Sequence, residues 1–318
     1  MKKNSLYSII IPNYKGGELL SKCLEAIFSN TTSEIEIIVV DDASRDGATK
    51  FLEAQKNVRV YINNENMGFA KSCNKGATIA KGDILVFLNN DTEVQRGWLE
   101  AIRFIIETEE NVGAVGVKLL FPNKKIQHAG VVISPDKIPR HIYYQVNNNR
   151  PELNMERDFQ SVTAACIAIP RVVFEEFGGF DEDFRNGMED VDLCLKIKKG
   201  GYRIVYTPDS VVIHHESVAP GRHKNNKYNM DLYMSRWRSA ESDEHKYYKE
   251  DGKSALWILG QDLRSMSSGP DEYGTRPLYV SILRYFYIPM HKIYVLLAYL
   301  FKGDFAGLAK KIRGKYNV

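Results

Sequence analysis

Three groups of residues in this 318-residue chain could do chemistry by type and spacing. The first is the pair Glu189 and Asp190, inside FGGFDEDFRNGMEDVDLCLK at 177–196. There a Gly-Gly turn and an acidic loop run into an amphipathic helix. Adjacent carboxylates at such a junction can hold a catalytic base in place. They can equally cap free N–H groups and favour the helix macrodipole. The second group follows four apolar runs: Pro12, Asn13 and Tyr14; Asp41 and Asp42; Asn63 to Asn66; and Asn89, Asn90 and Asp91. Amides and carboxylates of this kind hydrogen-bond a base or ribose, or coordinate a hard cation. The third is His214 with His215, after a later apolar run. Either imidazole could join Asp91 on a divalent ion, and a mixed carboxylate and imidazole set favours manganese over magnesium. A hydrogen-bonded packing histidine is the competing explanation.

These groups need elements to position them. Runs at 7–11, 35–40, 58–62, 84–88 and 112–117 read as strands, and that at 35–40 has the continuous apolar character of a strand buried on both faces. Helical spacing falls between them at 18–28, 48–55, 69–80 and 98–108. The alternation implies a mostly parallel α/β sheet covered on both faces, whose ligands bind beyond the carboxyl ends of the strands. Residues 119–158 are loop-rich, with four prolines and the run Asn147 to Asn149. Strand character returns at 162–169, 203–206 and 211–214, with helices at 172–177 and from the acidic pair to about 199. The expected organisation is a domain over 1–220, with halves at 1–118 and 119–220, and a helical, basic and aromatic extension over 221–318.

Composition narrows the function classes. A hydrophobic fraction of 44% and a charged fraction of 26% describe an ordinary globular protein. A net charge of +3 is too small for nucleic-acid binding as a whole-protein property. The four cysteines form no C-x-x-C pair, which points to reduced, buried thiols in a cytosolic protein. The basic start precedes an apolar run too short and strand-like for a signal peptide. The run at 293–301 falls short of the ~20 residues that a spanning helix needs. Neither G-x-G-x-x-G nor G-x-x-x-x-G-K-[ST] occurs, which excludes the commonest dinucleotide and phosphate loops.

Longer blocks then match a family. They are SIIIPNYKG at 8–16, IIVVDDASRDGA at 37–48, NMGFAKSCNKGATIAKGDILVFLNNDTEV at 66–94, and the stretch from VTAACIAIP to VVIHHE over 162–216. Ordered and spaced in this way, they resemble the family 2 glycosyltransferases, particularly the bacterial rhamnosyltransferase-like branch that builds O-antigen, capsule and cell-wall glycans. The resemblance covers roughly residues 5–240. It implies a GT-A fold, a Rossmann-like nucleotide-sugar-binding sheet with helices on both faces, and a divalent cation. By motif, Pro12, Asn13 and Tyr14 lie along the nucleotide, Asp42 meets the pyrimidine, and Asn66, Gly68 and Lys71 lie near the nucleotide or its ribose. Asn89, Asn90 and Asp91 fill the D-x-D position, with Asp91 and His214 (His215 as alternative) on the metal. Asp190 matches the general base, beside Glu189 as an orienting or sugar-contacting neighbour. Asn89 departs from the acid common at the first D-x-D position, which removes one negative charge near the ion.

The count of groups suits sugar transfer with inversion. One base takes the acceptor proton, and metal-held diphosphate leaves without a protein acid. A glycoside hydrolase would need two opposed carboxylates. The expected partners are a UDP- or dTDP-sugar and a glycan or lipid-diphosphate-linked acceptor, with no nucleic acid; an oligomer is allowed. Rival expectations are a sugar nucleotidyltransferase and a catalytically inert glycan-binding scaffold. The first lacks its Gly-rich basic loop, and the joint presence of Asp91 and Asp190 disfavours the second. The turn at Gly178 to Asp181 is expected on the acceptor side, and Ala164 with Ala165 could leave room for the donor sugar. The stretch holding Arg222, His223, Lys224, Lys227, Arg236 and Arg238 around Tyr228, Tyr233 and Trp237 could meet a diphosphate or be a solvated helix face. Residues 279–301 and the basic tail after them could touch a membrane surface or pack against a subunit. The expected location is cytoplasmic, with peripheral contact at the inner face of the membrane.

Overall fold

The computed structural model describes residues 5–47, 49–50, 52, 57–216 and 222–267. The expected helix at 48–55 and the membrane-surface segment at 279–318 lie wholly or largely outside them. In chain order the strands and helices begin with β1 (Tyr7–Asn13), α1 (Gly17–Asn30), β2 (Ile35–Asp41), β3 (Val58–Ile62), α2 (Phe69–Ile79), β4 (Ile84–Leu88), β5 (Thr92–Val94), α3 (Trp98–Thr108) and β6 (Val112–Leu120). Then come β7 (Ile126–His128), β8 (Val131–Ile133), β9 (Pro139–His141), β10 (Arg157–Phe159), β11 (Cys166–Pro170), α4 (Arg171–Glu176), α5 (Glu189–Lys199), β12 (Arg203–His214), α6 (Asn226–Trp237), α7 (Glu244–Glu250) and α8 (Ala255–Ser267). One compact unit holds residues up to 133 and 139–241, and so includes α6; a second takes 134–138 and residues from 242 onward.

The first unit is a mixed α/β structure. Its sheet runs β10-β12-β6-β11-β4-β1-β2-β3, with β5 beside β12 and β7 beside β6. Strands β1 to β4 are parallel; β1, β2 and β4 are mostly buried, whereas β3 is the edge of the sheet and leaves Val60 and Ile62 exposed. The expectation of a mostly parallel sheet needs correcting beyond them. Strand β11 lies antiparallel between β4 and β6, with Cys166 opposite Leu88. Its beginning therefore sits at the carboxyl ends of the parallel strands. Residues 162–165 reach the ligand-binding rim for this reason.

Side-chain alternation divides the core between the two faces. Ile9, Ile11, Val39 and Val86 pack with Leu20, Cys23 and Ile27 of α1 and Trp98, Leu99 and Ile102 of α3. Ile10, Leu85 and Phe87 pack with Ala70 and Cys73 of α2 and Leu193, Cys194 and Ile197 of α5. All four cysteines are free and buried. Two further details differ from the sequence expectations. The strands expected at 203–206 and 211–214 are one strand with a register shift between Thr207 and Val211. The loop-rich stretch at 119–158 holds the short strands β7 to β10.

Candidate active site

Strand pairing assembles the first part of the site. Strand β12 runs antiparallel to β5 with His214 opposite Thr92, and the His215 N–H donates to the Asp91 carbonyl at 3.0 Å. That register sets His214 Nε2 3.0 Å from Asp91 Oδ1, and both side chains are buried. On its other side, His214 Nδ1 lies 2.6 Å from Gln127 Oε1. The Gln127 amide nitrogen donates to the Glu216 carboxylate at 3.3 Å. An ionised carboxylate only accepts, so Gln127 presents its oxygen to His214, and Nδ1 carries the proton. Nε2 faces the Asp91 carboxylate with the Asn89 amide nitrogen 3.4 Å away; either a proton on Nε2 or a divalent cation held by both side chains satisfies the contact. A carboxylate, an imidazole and a hydrogen-bonded partner that orients the imidazole fit a divalent ion. Among the described residues no three or more His, Cys, Asp or Glu side chains converge on a metal position. An ion here would draw its other ligands from water or from oxygens of a bound molecule. His215 faces elsewhere, with Nε2 2.6 Å from Glu93 Oε1.

The rim beside this pair is a chain of amides and carboxylates. Asn90 Nδ2 donates to Asn13 Oδ1 at 2.7 Å, and Asn13 Nδ2 donates to Asp41 Oδ1 at 2.8 Å. Ser44 Oγ donates to the same Asp41 oxygen at 2.6 Å. The ends of β4, β1 and β2 are thus tied together. Any side chain at position 16 would displace this amide chain, because a Cβ there would stand 2.3 Å from Asn90 Nδ2. Pro12 is half-buried and Tyr14 is exposed on this rim. Asp42 is buried and anchors the next loop. It accepts hydrogen bonds from Asn63 Nδ2 at 2.8 Å, Met67 N at 2.7 Å and Gly68 N at 2.9 Å. Asn66, Gly68 and Lys71 line a cavity of about 370 Å³ together with Arg185, Asn186 and Tyr228.

The acidic loop forms the other wall. Phe180 fills a pocket among Phe69, Phe87 and Phe174, with ring centroids 4.9 Å from Phe87 and 5.5 Å from Phe174. Gly179, at φ +72°, makes the turn beneath it, where a Cβ would press on Asn74 Oδ1 at 2.8 Å. Glu189 is buried and accepts the Gly187 N–H at 2.6 Å, so it braces the turn before α5. Asp190 accepts the Val191 N–H at 2.9 Å and, outside its own helix, the Ala164 N–H at 3.0 Å. The carbonyl of the following residue, Ala165, accepts the Asn89 N–H at 3.0 Å. Two adjacent residues just before β11 therefore hold Asp190 with one backbone group and the Asn89 to Asp91 corner with another. The small residues Ala164 and Ala165 sit buried at this junction.

Part of the basic stretch has an internal task. Arg236 Nη1 lies 2.7 Å from Asp181 Oδ2 and 3.2 Å from Asp192 Oδ1, and Trp237 Nε1 donates to Asp192 Oδ1 at 2.8 Å. Lys196 Nζ completes the cluster 2.6 Å from Asp192 Oδ2. Arg236 and Trp237 are thus neither diphosphate ligands nor a solvated face. Burial alone would raise the Asp181 carboxyl. The Asp183 N–H and the Arg236 guanidinium outweigh it and hold the group below its ordinary value. His128 and His141 also meet, with their Nδ1 atoms 2.9 Å apart. Burial first, and the facing His141 second, hold His128 well below the usual imidazole value. Gln127, Glu216, Asn74 and Asn229 (described below) escaped the sequence argument. Only Glu216, directly after the histidine pair, carried any signal there.

A helix-flanked mixed sheet with a polar carboxyl-end rim defines the GT-A architecture. The fold superimposes on GalNAc-T7 with UDP, GalNAc and Mn2+ at a TM-score of 0.58, with 17% identity, over 83% of this chain and 58% of that one. It superimposes on the mannosyltransferase PcManGT from Pyrobaculum calidifontis, in complex with GDP-Man and Mn2+, at 0.57, with 18% identity, over 99% and 88%. Residues 8–174, more than half of the chain, match the model of glycosyl transferase family 2, and the chain belongs to that family. It is 29% identical over 265 residues to the uncharacterized protein y4gI of Sinorhizobium fredii and 33% identical over 222 residues to the O-antigen biosynthesis protein RfbC of Myxococcus xanthus. These alignments cover 78% and 67% of this chain but 29% and 17% of those longer proteins. An N-acetylglucosaminyl-diphospho-decaprenol L-rhamnosyltransferase of Mycobacterium tuberculosis is 24% identical over 67% of this chain and 77% of its own length.

Proposed function

We propose that the chain transfers a sugar, with inversion, from a nucleoside-diphosphate donor to a hydroxyl of a glycan or lipid-linked glycan in surface polysaccharide synthesis. One observation carries this most. The peptide groups of Ala164 and Ala165 link the Asp190 carboxylate to the corner that bears Asp91. A base and a cation-type site side by side are what one-step transfer needs. Asp190 takes the acceptor proton, and Glu189 braces it. Pro12, Asn13, Tyr14, Asn66, Gly68, Lys71, Asn89 and Asn90 bound the donor. Asp42 keeps the loop at 63–68 in shape for it, and retains acceptor capacity toward a base. Asp91 and His214 hold a divalent ion, manganese before magnesium, which when bound neutralises the leaving diphosphate.

The names of the O-antigen protein and the diphospho-decaprenol rhamnosyltransferase support surface-glycan synthesis and a lipid-diphosphate-linked acceptor; the donor in this proposal is a UDP- or dTDP-sugar. No described helix is long and apolar enough to cross a membrane, which suits a cytoplasmic protein working at the membrane's inner face. The test is turnover of UDP- and dTDP-sugars with manganese by wild type and Asp91→Ala. Wild-type turnover that falls at least about a hundredfold in the variant, the scale of losing an electrostatic stabiliser, is the expected result. Equal turnover in both proteins would remove Asp91 from the reaction.

A further inference from the structure

The acidic loop that delivers Asp190 is pinned at two points by the same device, an asparagine that grips a backbone from both sides. At the first point, Asn74 of α2 accepts the Phe180 N–H at 3.0 Å and donates to the Phe180 carbonyl at 2.8 Å. At the second, Asn229 of α6 accepts the Arg185 N–H at 2.8 Å and donates to the Arg185 carbonyl at 3.0 Å. Asn229 is 2% exposed, so these bonds do not compete with water. The residues between this grip and Asp190 favour other shapes. Met188 holds a left-handed φ of +74°, which costs a non-glycine residue free energy unless the surroundings enforce it, and Asn186, a residue that tolerates this region, sits at +58°. Asn186 Oδ1 in turn accepts the Phe69 N–H at 2.8 Å, where α2 begins beside the donor loop. Arg185 and Asn186 thus form the joint between the donor wall and the base.

We infer that Asn229 is a positioning residue for Asp190, acting through the backbone of Arg185. It touches no reacting atom. Its grip holds the strained turn in the conformation that aims α5 at the acceptor, and α6 is thereby part of the catalytic machinery. The inference rests on the transferase activity proposed above. A displacement of about 1 Å at a reacting group costs on the order of a hundredfold in rate.

The experiment uses the full chain, with Asn229→Ala and the isosteric Asn229→Asp, which keeps the acceptor and loses the donor. It reads turnover, nucleoside-diphosphate affinity with manganese, and amide hydrogen exchange over 181–190. Expected are a fall in kcat of about 10- to 100-fold, nucleotide affinity within about twofold of wild type, and faster exchange confined to the loop. Asn229→Asp is expected to show the same split in a folded protein. Unchanged kcat or unchanged loop exchange in Asn229→Asp would overturn the inference, as would kcat and nucleotide affinity falling together. A wild-type protein that turns over no sugar nucleotide would instead refute the transferase activity, and the exchange data would still decide whether Asn229 orders the loop.

Discussion

The two walls of the site are built in opposite ways. The donor wall is made where strands end. Asn13, Asp41, Asn90 and Asp91 close or follow β1, β2 and β4, and the sheet register alone brings them together. Their side chains then bond one another over single contacts, from Asn90 to Asn13 to Asp41. The base wall is a loop between α4 and α5 that no ladder supports. Positive φ angles recur along it, at Gly178, Gly179, Asn186 and Met188. What holds it is a set of side chains from α2 and α6 and one part-exposed ion cluster built around the buried Asp192. The difference teaches that, under the proposed function, donor binding would be set by backbone pairing, whereas proton transfer would depend on contacts that single substitutions can remove.

Damage to the base wall should therefore cost more than damage to the donor wall. The largest effect is expected at Asp192, which is fully buried and pairs with Arg236, Trp237 and Lys196. Asp192→Ala removes the buried carboxylate shared by Arg236, Trp237 and Lys196, leaves Asp181 as the remaining acid for the two part-exposed cations, and should lower unfolding free energy by about 3 kcal/mol. The readout is a lower denaturant midpoint at unchanged slope. Asp42→Ala comes next. It removes three hydrogen bonds from the donor loop but leaves the strand ends paired. A loss of nucleoside-diphosphate affinity of roughly tenfold by calorimetry is expected, with a stability loss of about 1–3 kcal/mol. Turnover at saturating donor should hold.

The smallest effect lies at the His128 and His141 pair. The unfolded chain takes up a proton near pH 6.5 that the buried, neutral His128 refuses. Its depressed value thus contributes stability that is present above about pH 6.5 and is lost as pH falls below it. The melting temperature of wild type should drop more steeply between pH 7 and pH 5 than that of His128→Leu. Parallel pH curves would show that this pair does not couple folding to protons.

The parallel strands and the chemistry at their ends were legible in the sequence for one reason. A strand buried on both faces is a continuous apolar run, and a carboxylate or amide directly after it marks the rim. Asp91 stood out in this way and His214 by closing a later apolar run, whereas Asp190 stood out as one of two adjacent carboxylates where a loop becomes a helix. The direction of β11 did not, because it depends on the path of the preceding irregular chain rather than on local pattern. The Pro208 and Asp209 interruption made β12 look like two strands, although a shift in register carries the ladder past it. Gln127, Asn74 and Asn229 carried no signal. An amide that orients a histidine or grips a loop has the same sequence appearance as one exposed to water, and only tertiary contact distinguishes them. The same holds for Arg236, whose basic surroundings suggested a ligand while its partners are Asp181 and Asp192.

The central claim is that Asp190 is the base and that the donor wall binds independently of it. It is tested most directly by one protein, Asp190→Asn, assayed for sugar transfer and for stabilisation by UDP or dTDP with manganese. The account predicts a fall in kcat of about a thousandfold or more, in line with the loss of a general base, while the nucleotide-induced rise in melting temperature stays at the wild-type value. Transfer at the wild-type rate, or the loss of nucleotide stabilisation along with turnover, would contradict it.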